Sequence, residues 1–312
     1  MNPGTAALLA VLTLTTLWYV WRWWRIERAR APREPRRPAG IDAAIGFGTN
    51  FFDTLGIGNF APTTALFRLL HRVPDEQIPG TLNVGHTVPV LTEALIFIAA
   101  VRVDFATLAG MIGAAALGAW FGAGVVARLP RRAIQLGMGV ALLCAAVLFV
   151  AANLHALPGG GEALGLHGTR LAIALAVNAA LGALMTLGIG LYAPCLILVS
   201  LLGMNPIVAF PIMMGSCALL MPLASVRFIR AGRYRLRAAL GLALGGIPGV
   251  LLAAYVVKSL PLTWLRWLVA VVVLYTAVLM LGAARRSVSA GPRSEYPSRT
   301  DPAHRDTAQP RP

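Results

Sequence analysis

The chain has 312 residues, of which 57% are hydrophobic and only 12% are charged. Its charged fraction is well below the roughly 25% that is usual in a soluble domain. This composition excludes a water-soluble globule and predicts a polytopic membrane protein with the lipid bilayer as its solvent. The net charge of +15 does not indicate a nucleic-acid partner, because the basic residues lie in short gaps between apolar runs, as is typical of membrane topology.

Nine stretches are long and apolar enough to predict spanning helices of about 20 residues. The first, 5–24, has no preceding basic region and no small-residue cleavage site, so it is interpreted as a retained helix rather than a signal peptide. Its Tyr19, Trp21, Trp23 and Trp24 are expected to form an aromatic belt at the membrane interface. The other predicted helices are 41–67, 80–100, 105–127, 133–153, 171–201, 206–226, 238–257 and 264–284.

Basic residues divide unevenly between the alternate gaps of this arrangement. Arginines cluster after the first helix, within 227–237 and after residue 284, whereas the opposite gaps contain few. Because cytoplasmic loops carry the excess of Lys and Arg, the N-terminus is expected outside and the C-terminus in the cytoplasm. The segment 1–40 is then an extra helix with a basic cytoplasmic linker. The segment 285–312, rich in Ser, Pro, Arg and Asp, is predicted to be a disordered cytoplasmic tail.

The chain contains an internal duplication. The string TLGIGNFAP at 54–62 recurs as TLGIGLYAP at 186–194, and ordered matches continue toward the C-terminus after the loss of one residue. The sequence therefore predicts an all-α polytopic membrane protein of about nine transmembrane helices, with one extra N-terminal helix and two tandem four-helix repeats, 41–153 and 171–284, joined by a Gly-rich loop at 154–170. Because four helices separate equivalent points, both copies are expected to share one orientation, related by an axis along the membrane normal.

The repeated string is the predicted solute site. Glycine is flexible, and proline removes a backbone donor and clashes with the preceding turn, so each string should interrupt its helix. The N-terminal end of a half-helix favours an anion through its free N–H groups and its dipole. The alternative is that the small residues only allow close helix packing. The predicted substrate-binding residues are Gly56, Gly58, Asn59, Pro62, Thr63, Gly188, Gly190 and Pro194.

Three ionisable residues lie at predicted membrane depth in the first copy. Asp53 precedes the first TLGIG string, and His86 and Glu93 are seven residues apart on one face of the helix 80–100. Ionisable groups inside a bilayer are costly and indicate function by default. One hypothesis is that the three residues couple solute movement to the proton gradient. The other is that they pair with one another and lock the bundle.

Enzymatic and metal chemistry find no support in the sequence. Cys144, Cys195 and Cys217 lie in apolar segments without repeated short spacing or ligand-rich neighbours, so buried thiols are expected rather than a disulfide framework or a metal site. No Ser/His/Asp order, phosphate loop or HExxH motif occurs. We therefore expect no catalytic residue and no cofactor.

The layout of the two copies resembles the TauE/SafE permeases, also called sulfite exporters. Each copy opens with TLGIG, any residue, an aromatic residue and Ala-Pro, and continues through a short polar link such as RVDFATL at 102–108 to a Gly-rich helix and a Leu-Pro pair. The resemblance covers about 41–284. It implies a transporter in the bacterial inner membrane for a small anion such as sulfite, a sulfonate or another organosulfur anion. Asn59 and Leu191 stand where the family string has glycines.

The resulting interpretation is a secondary permease that binds its solute around the two strings and moves one half against the other. Its expected partners are a small anionic solute and the lipid bilayer. A non-transporting scaffold or sensor and a channel-like conductor are alternatives with the same fold.

Overall fold

The computed structural model describes residues 2–30, 37–126, 161–185 and 191–259 continuously, together with isolated residues within 136–154 and 267–285. Most of the predicted helices 133–153 and 264–284, the tail beyond residue 285, Cys144, Gly188 and Gly190 lie outside the described residues. The α-helices are α1 (Pro3–Arg28), α2 (Gly40–Thr54), α3 (Phe60–Leu69), α4 (Ile78–Ala100), α5 (Phe105–Val126), α6 (Gly168–Met185), α7 (Tyr192–Leu201), α8 (Ala209–Ala231) and α9 (Leu236–Ser259). Short 3₁₀ turns, Asp75–Gln77 and Pro206–Val208, precede α4 and α8.

The aromatic belt predicted for α1 divides between two faces of the helix. Tyr19 and Trp23 are buried, and the Trp23 Nε1–H donates to the Tyr234 hydroxyl at 2.9 Å. Trp21 and Trp24 are exposed, and an arginine guanidinium lies over each of their rings. The prediction was therefore wrong for Tyr19 and Trp23, which join α1 to the bundle because they lie on its inner face.

The predicted helix 41–67 is not one span, because the chain folds back inside it. α2 and α3 are separated by residues 55–59. Just beyond α3, the Arg72 guanidinium donates to both carboxylate oxygens of Asp42, at the start of α2, over 3.0 and 2.9 Å. The two ends of the segment therefore meet, and residues 40–72 form a re-entrant pair of antiparallel helices, hereafter hairpin 1.

A glycine-dependent helix end makes this reversal. The Gly56 N–H donates to the Asp53 carbonyl at 2.7 Å, and the Ile57 N–H donates to the Phe52 carbonyl at 3.1 Å. This is the Schellman pattern, which requires a left-handed residue after the helix. Gly56 supplies that residue with φ +92°. The TLGIG string thus interrupts the helix in hairpin 1, as the sequence predicted.

The second copy folds back in the same way. α6 ends at Met185 and α7 begins at Tyr192. Beyond α7, the Asn205 N–H donates to the carbonyl of Ala163, which precedes α6, at 3.0 Å. The predicted helix 171–201 therefore contains two helices whose outer ends meet, and residues 163–205 form hairpin 2.

The helix boundaries confirm the duplication. α7 begins 132 residues after α3, at 192 against 60, and it ends at the same offset. α8 begins 131 residues after α4, at 209 against 78, and it also ends at the same offset. The lost residue therefore lies between the second helix of each hairpin and the 3₁₀ turn that follows it.

The two copies run in opposite directions, so the expectation of a shared orientation was wrong. Phe97, near the end of α4, stacks on Phe210, at the start of α8, with ring centroids 5.3 Å apart. Gly80, at the start of α4, lies against Phe228, near the end of α8. The hairpins explain the reversal, because each returns to its own side and so removes one crossing from the four that were predicted between equivalent points. Such inverted repeats are related by an axis in the membrane plane.

Each hairpin packs on a helix of the other half. A Cβ on Gly245 of α9 would overlap the backbone of Ala43 in α2, and a Cβ on Gly118 of α5 would overlap the backbone of Ala179 in α6. Small residues at these crossings let the two backbones approach closely. The halves are therefore interlocked, and the hairpin positions depend on both.

Polar contacts fix the end of the bundle opposite the Asp42–Arg72 pair. Asp104 precedes α5, and its carboxylate accepts hydrogen bonds from the backbone N–H and the hydroxyl of Thr107, each at 2.9 Å. These bonds cap the helix and lower the pKa of Asp104. The Thr107 hydroxyl also accepts from the Leu166 N–H at 2.9 Å, which ties the start of α5 to the base of hairpin 2.

Five described segments are long and apolar enough to cross a membrane: Pro3–Arg28, Ile78–Ala100, Gly168–Met185, Pro206–Ala231 and Leu236–Val256. Phe105–Phe121 is a shorter apolar stretch. The nine predicted spans are therefore not confirmed. Two of the nine are the hairpins, whose ends meet, and removing them still leaves an odd number of crossings.

Cysteine accessibility tests the fold-back of hairpin 1. With the native cysteines replaced by alanine, Pro38→Cys and His71→Cys flank hairpin 1, and Glu162→Cys marks the opposite end of the bundle. We expect a membrane-impermeant maleimide to label the first two from one face of the membrane and the third from the other face. Labelling of positions 38 and 71 from opposite faces would instead support a continuous span.

Candidate functional site

A group of polar residues is enclosed where the two hairpin tips meet α4, and we call it the tip cluster. None of its residues exposes more than 4% of its surface. Burying polar groups is costly unless each finds a hydrogen-bond partner, so the pairing of these side chains defines the site. The members are Asn50, Asp53, Thr54, Asn59, Thr63, His86, Glu93 and Tyr192.

Asn59 lies at the centre of the tip cluster. Its amide nitrogen donates to Asp53 Oδ2 at 2.6 Å and to Asn50 Oδ1 at 3.2 Å. The Asn50 amide nitrogen donates in turn to the Gly46 carbonyl at 2.7 Å, which fixes the orientation of both amides. Asn59 is also the N-cap residue of α3, yet its side chain makes no capping hydrogen bond. The first-turn amides of α3 have no intrahelical partner.

His86 extends this network from hairpin 1 to α4. The Asn50 amide oxygen can only accept, so the His86 Nδ1 atom, 3.1 Å away, carries the hydrogen. His86 Nε2 lies 3.1 Å from the Thr63 hydroxyl, and in the neutral ring it accepts that hydroxyl's hydrogen. The predicted residues Asp53, Asn59, Thr63 and His86 therefore belong to one chain of hydrogen bonds.

Glu93 joins the tips of both hairpins. Its Oε1 lies 2.9 Å from the hydroxyl of Thr54, at the end of α2, and its Oε2 accepts from the hydroxyl of Tyr192, at the start of α7, at 3.0 Å. The Thr54 hydroxyl also lies 2.8 Å from the Asn50 carbonyl, and one hydrogen cannot serve both acceptors. The hydrogen bonds are complete when Glu93 carries a proton on Oε1 and donates it to Thr54.

Asp53 and Glu93 are neighbouring carboxyl groups. Their mutual repulsion when both are ionised favours states in which at least one holds a proton. Protonation of either group changes which neighbours it can donate to or accept from. The three predicted ionisable residues, Asp53, His86 and Glu93, are thus linked both to one another and to the hairpin tips.

The predicted glycines border the tip cluster. A Cβ on Gly56 would be 3.6 Å from the Phe210 ring, in ordinary contact. A Cβ on Gly58 would meet no atom within 4 Å, and this glycine also has a left-handed backbone with φ +87°. Gly58 therefore faces open space at the turn of hairpin 1.

The predicted prolines do not break the helices. Pro62 lies in the first turn of α3 and Pro194 in the first turn of α7. A proline in a first turn sacrifices no intrahelical hydrogen bond, because those amides have none. The helix break in hairpin 1 therefore depends on Gly56 rather than on Pro62. Gly188 and Gly190, the equivalents of Gly56 and Gly58, fall outside the described residues.

The second half has sulfur where the first half has polar groups. Under the repeat offsets, the equivalents of Asp53, Thr63 and His86 are Met185, Cys195 and Cys217. The Cys217 thiol lies 3.4 Å from the Met185 sulfur, and Cys195 and Cys217 are free and buried. The described residues contain no group of three or more His, Cys, Asp and Glu placed to hold a metal ion.

Thr54 and Tyr192 were not predicted as site residues from the sequence. Thr54 opens the repeated string, but a threonine inside an apolar run carries no charge to draw attention to it. Tyr192 stands where the first copy has Phe60. Tyr192 differs from Phe60 by the hydroxyl that reaches Glu93, and this extra hydroxyl was the signal available in the sequence.

Tyr192→Phe tests the bridge between the hairpins. Phe60 shows that the fold accepts phenylalanine at this position, so the substitution removes only the hydrogen bond to Glu93. We expect a loss of roughly 1–2 kcal/mol in the free energy of unfolding, measured by thermal denaturation in detergent. Tyr255→Phe, at an exposed position, is the matched control, and equal stability of the two variants would contradict the bridge.

Residues 3–149 and 170–310 match the family model described as sulfite exporter TauE/SafE. The two matched segments correspond to the two halves, and the first includes α1. No curated protein and no solved structure gives a significant match.

Proposed function

This chain belongs to the sulfite exporter TauE/SafE family, and we propose that it is a secondary permease for a small sulfite, sulfonate or other organosulfur anion. The family consists of membrane transporters rather than enzymes, and the apolar helices agree with that role. The observation that carries the proposal is the meeting of two re-entrant hairpins, one from each inverted half, at an enclosed polar cluster. Transporters with inverted repeats bind their solutes at interrupted helices and expose them alternately as one half moves against the other.

In this proposal hydrogen-bond donors bind the anion. The described ion pairs, Arg30–Glu27 and Arg72–Asp42, lie at the end of the bundle rather than in the tip cluster. The donors assigned to the anion are the first-turn amides of α3 and the side chains of Asn59 and Thr63, whose present partners within the chain the anion would replace. In hairpin 1, Gly56 shapes the turn, Gly58 leaves room and Pro62 lies in the first turn of α3. Hairpin 2 would contribute through Gly188, Gly190 and Pro194 of its own TLGIG string.

Asp53, His86 and Glu93 are the proposed proton-coupling residues. They are buried in one hydrogen-bonded network that contacts both hairpins. An ionised Glu93 can only accept hydrogen bonds, whereas a protonated Glu93 donates to one tip and accepts from the other. A change of protonation would therefore alter the contacts that hold the tips together.

The N-terminus is proposed to lie outside an inner membrane and the C-terminus in the cytoplasm. The fold brings Arg68 and Arg72 to the end of the bundle that already carries most of the described arginines, whereas Arg102 and Arg170 lie at the other end. Exchanging these two pairs leaves the excess of described arginines at the first end unchanged, which supports the same orientation. The arginines at the proposed cytoplasmic end are Arg22, Arg25, Arg28, Arg30, Arg37, Arg68, Arg72, Arg227, Arg230, Arg233, Arg235 and Arg237.

Flux of radiolabelled sulfite, sulfate and sulfonate into proteoliposomes, with and without an imposed pH gradient, tests the function. Saturable flux supports a permease, non-saturating flux supports a channel, and no flux with any of these anions supports a scaffold.

Gly58→Leu tests the binding site in the same assay. The side chain would fill the open space at the turn and strain a left-handed backbone, so we expect flux to fall at least about tenfold while membrane insertion is kept. Gly113→Leu is the matched control, because a Cβ on Gly113 also meets no atom within 4 Å. Gly190→Leu should repeat the loss in hairpin 2, and normal flux in both string variants would refute the assignment.

Glu93→Gln tests proton coupling. Glutamine can still donate to Thr54 and accept from Tyr192, but it cannot gain or lose a proton. We expect the pH profile of flux to change while the variant stays folded. Glu162→Gln, which alters an exposed carboxyl group, should keep the wild-type profile. An unchanged profile in Glu93→Gln would remove Glu93 from this role.

A further inference from the structure

The Asn59 amide, which the proposed function assigns to the anion, is occupied by a carboxyl group of the chain itself. Asp53 Oδ2 lies 2.6 Å from the Asn59 nitrogen, and the second amide hydrogen points to Asn50 Oδ1 at 3.2 Å. Both donors are therefore in use. A solute anion can reach this amide only by replacing Asp53 or Asn50.

The pairing exists in one half of the molecule. Leu191, the equivalent of Asn59, has nearly the same backbone, with φ −82° and ψ −24° against φ −88° and ψ −22°. The equivalent of Asp53 is Met185. At this position hairpin 2 therefore keeps the backbone conformation of hairpin 1, but it has neither the side-chain donor nor the carboxyl group. The backbone conformation at Asn59 therefore does not depend on the Asp53–Asn59 hydrogen bond, which leaves that bond free to act in solute binding.

The surroundings of Asp53 make an added negative charge costly. The titratable groups that face it are Glu93 on α4, Tyr192 on α7 and Cys217 on α8, and His86 joins the same network through Asn50. The described ion pairs bring no Lys or Arg to Asp53. An anion bound beside an ionised Asp53 would therefore place like charges together in a buried, poorly solvated site.

We propose that Asp53 is a tethered competitor for the transported anion. The ionised carboxylate holds the Asn59 amide and excludes the solute, and a proton on Asp53 weakens that hydrogen bond and removes the competing charge. The anion and one proton are then bound together at hairpin 1, so the transport is symport. This inference rests on the proposed function and assigns the proton and the anion to the same hairpin.

Linkage gives the expected size of the effect. If the anion binds only to protonated Asp53, its apparent affinity falls by about tenfold per pH unit once the pH exceeds the range in which Asp53 titrates. The coupling is reciprocal, so anion binding must also draw a proton into the site. Both consequences are measurable on the purified full-length protein.

The experiment uses methanesulfonate, because this anion keeps its single charge across the pH range whereas sulfite does not. Exchange of labelled methanesulfonate is measured in proteoliposomes at about pH 6 and pH 8, and a pH dye inside the vesicles reports proton entry when methanesulfonate is added outside. The variants are Asp53→Asn, which imitates the protonated carboxyl group, and Met185→Leu, the matched control at the equivalent position in the other half.

For the wild type and Met185→Leu we expect exchange to fall at least about tenfold from pH 6 to pH 8, and added methanesulfonate to acidify the vesicles. For Asp53→Asn we expect exchange at pH 8 to rise to near its value at pH 6, with no acidification. A folded Asp53→Asn protein that keeps the wild-type pH profile, still acidifies the vesicles, or loses exchange at both pH values overturns the inference.

Asn59→Leu keeps the inference testable if Asp53→Asn does not fold, because Leu191 shows that the backbone accepts leucine there. We expect exchange to fall at least about tenfold at both pH values, and normal exchange would overturn the inference. A wild-type protein that moves neither methanesulfonate nor sulfite defeats the proposed function and the inference with it. Wild-type transport combined with a contrary result for the variants defeats only the inference.

Discussion

Inside a bilayer, each backbone amide and carbonyl needs a hydrogen-bond partner within the protein. This requirement constrains the fold more than any other factor. Hairpin 1 breaks a helix at depth, and the Schellman bonds of Gly56 and Ile57 satisfy the end of α2 where it stops. The Asp42–Arg72 pair closes the base of the hairpin. Irregular backbone is tolerated in a membrane only where protein or a water-filled cavity surrounds it, and here α4 and α9 pack around the hairpin.

The hairpins also explain how the two halves come to face each other. A segment that returns to its own side does not count as a crossing, so the duplicated unit inserts in opposite directions in its two copies. Inversion brings hairpin tip toward hairpin tip, and Glu93 from the first half contacts both of them through Thr54 and Tyr192. The Glu93 carboxyl group is fully buried, so it does not serve as a surface charge. It lies at the point where contacts from both halves converge.

The sequence was sufficient for some parts of this fold and insufficient for others, for physical reasons. The duplication and the helix break at TLGIG were predictable, because glycine at a left-handed position leaves a visible pattern. The grouping of His86 and Glu93 followed from helical periodicity. The fold-back was not predictable from hydropathy, because a continuous span and two half-helices have similar composition and length. The wrong orientation of the repeats followed directly from that one error.

In the tip cluster, too, some residues were predictable from the sequence and others were not. Charged residues in an apolar run are conspicuous, and Asp53, His86 and Glu93 were found for that reason. Thr54 and Tyr192 were missed, because their importance lies in where two distant segments meet, and only the structure shows that their hydroxyls reach one carboxyl group. The break was assigned to the prolines together with the glycines, because proline disrupts a helix interior. Their actual place in the first turn, where no hydrogen bond is lost, depends on a boundary that the sequence leaves uncertain by several residues.

The two halves share helix boundaries but differ in chemistry, and this difference bears on the proposed alternating access. In that proposal one half moves against the other, and α3 and α7 match in length and closely in the dihedral angles of their N-cap residues. Solute recognition has no need of symmetry, since a single small anion contacts few side chains. Asp53, Thr63 and His86 therefore need no polar equivalents, and Met185, Cys195 and Cys217 pack in their place at little cost in an apolar interior. Under the proposed function, the geometry shared by the halves serves the transport movement, and the unmatched polar residues of hairpin 1 and α4 serve the solute and its proton.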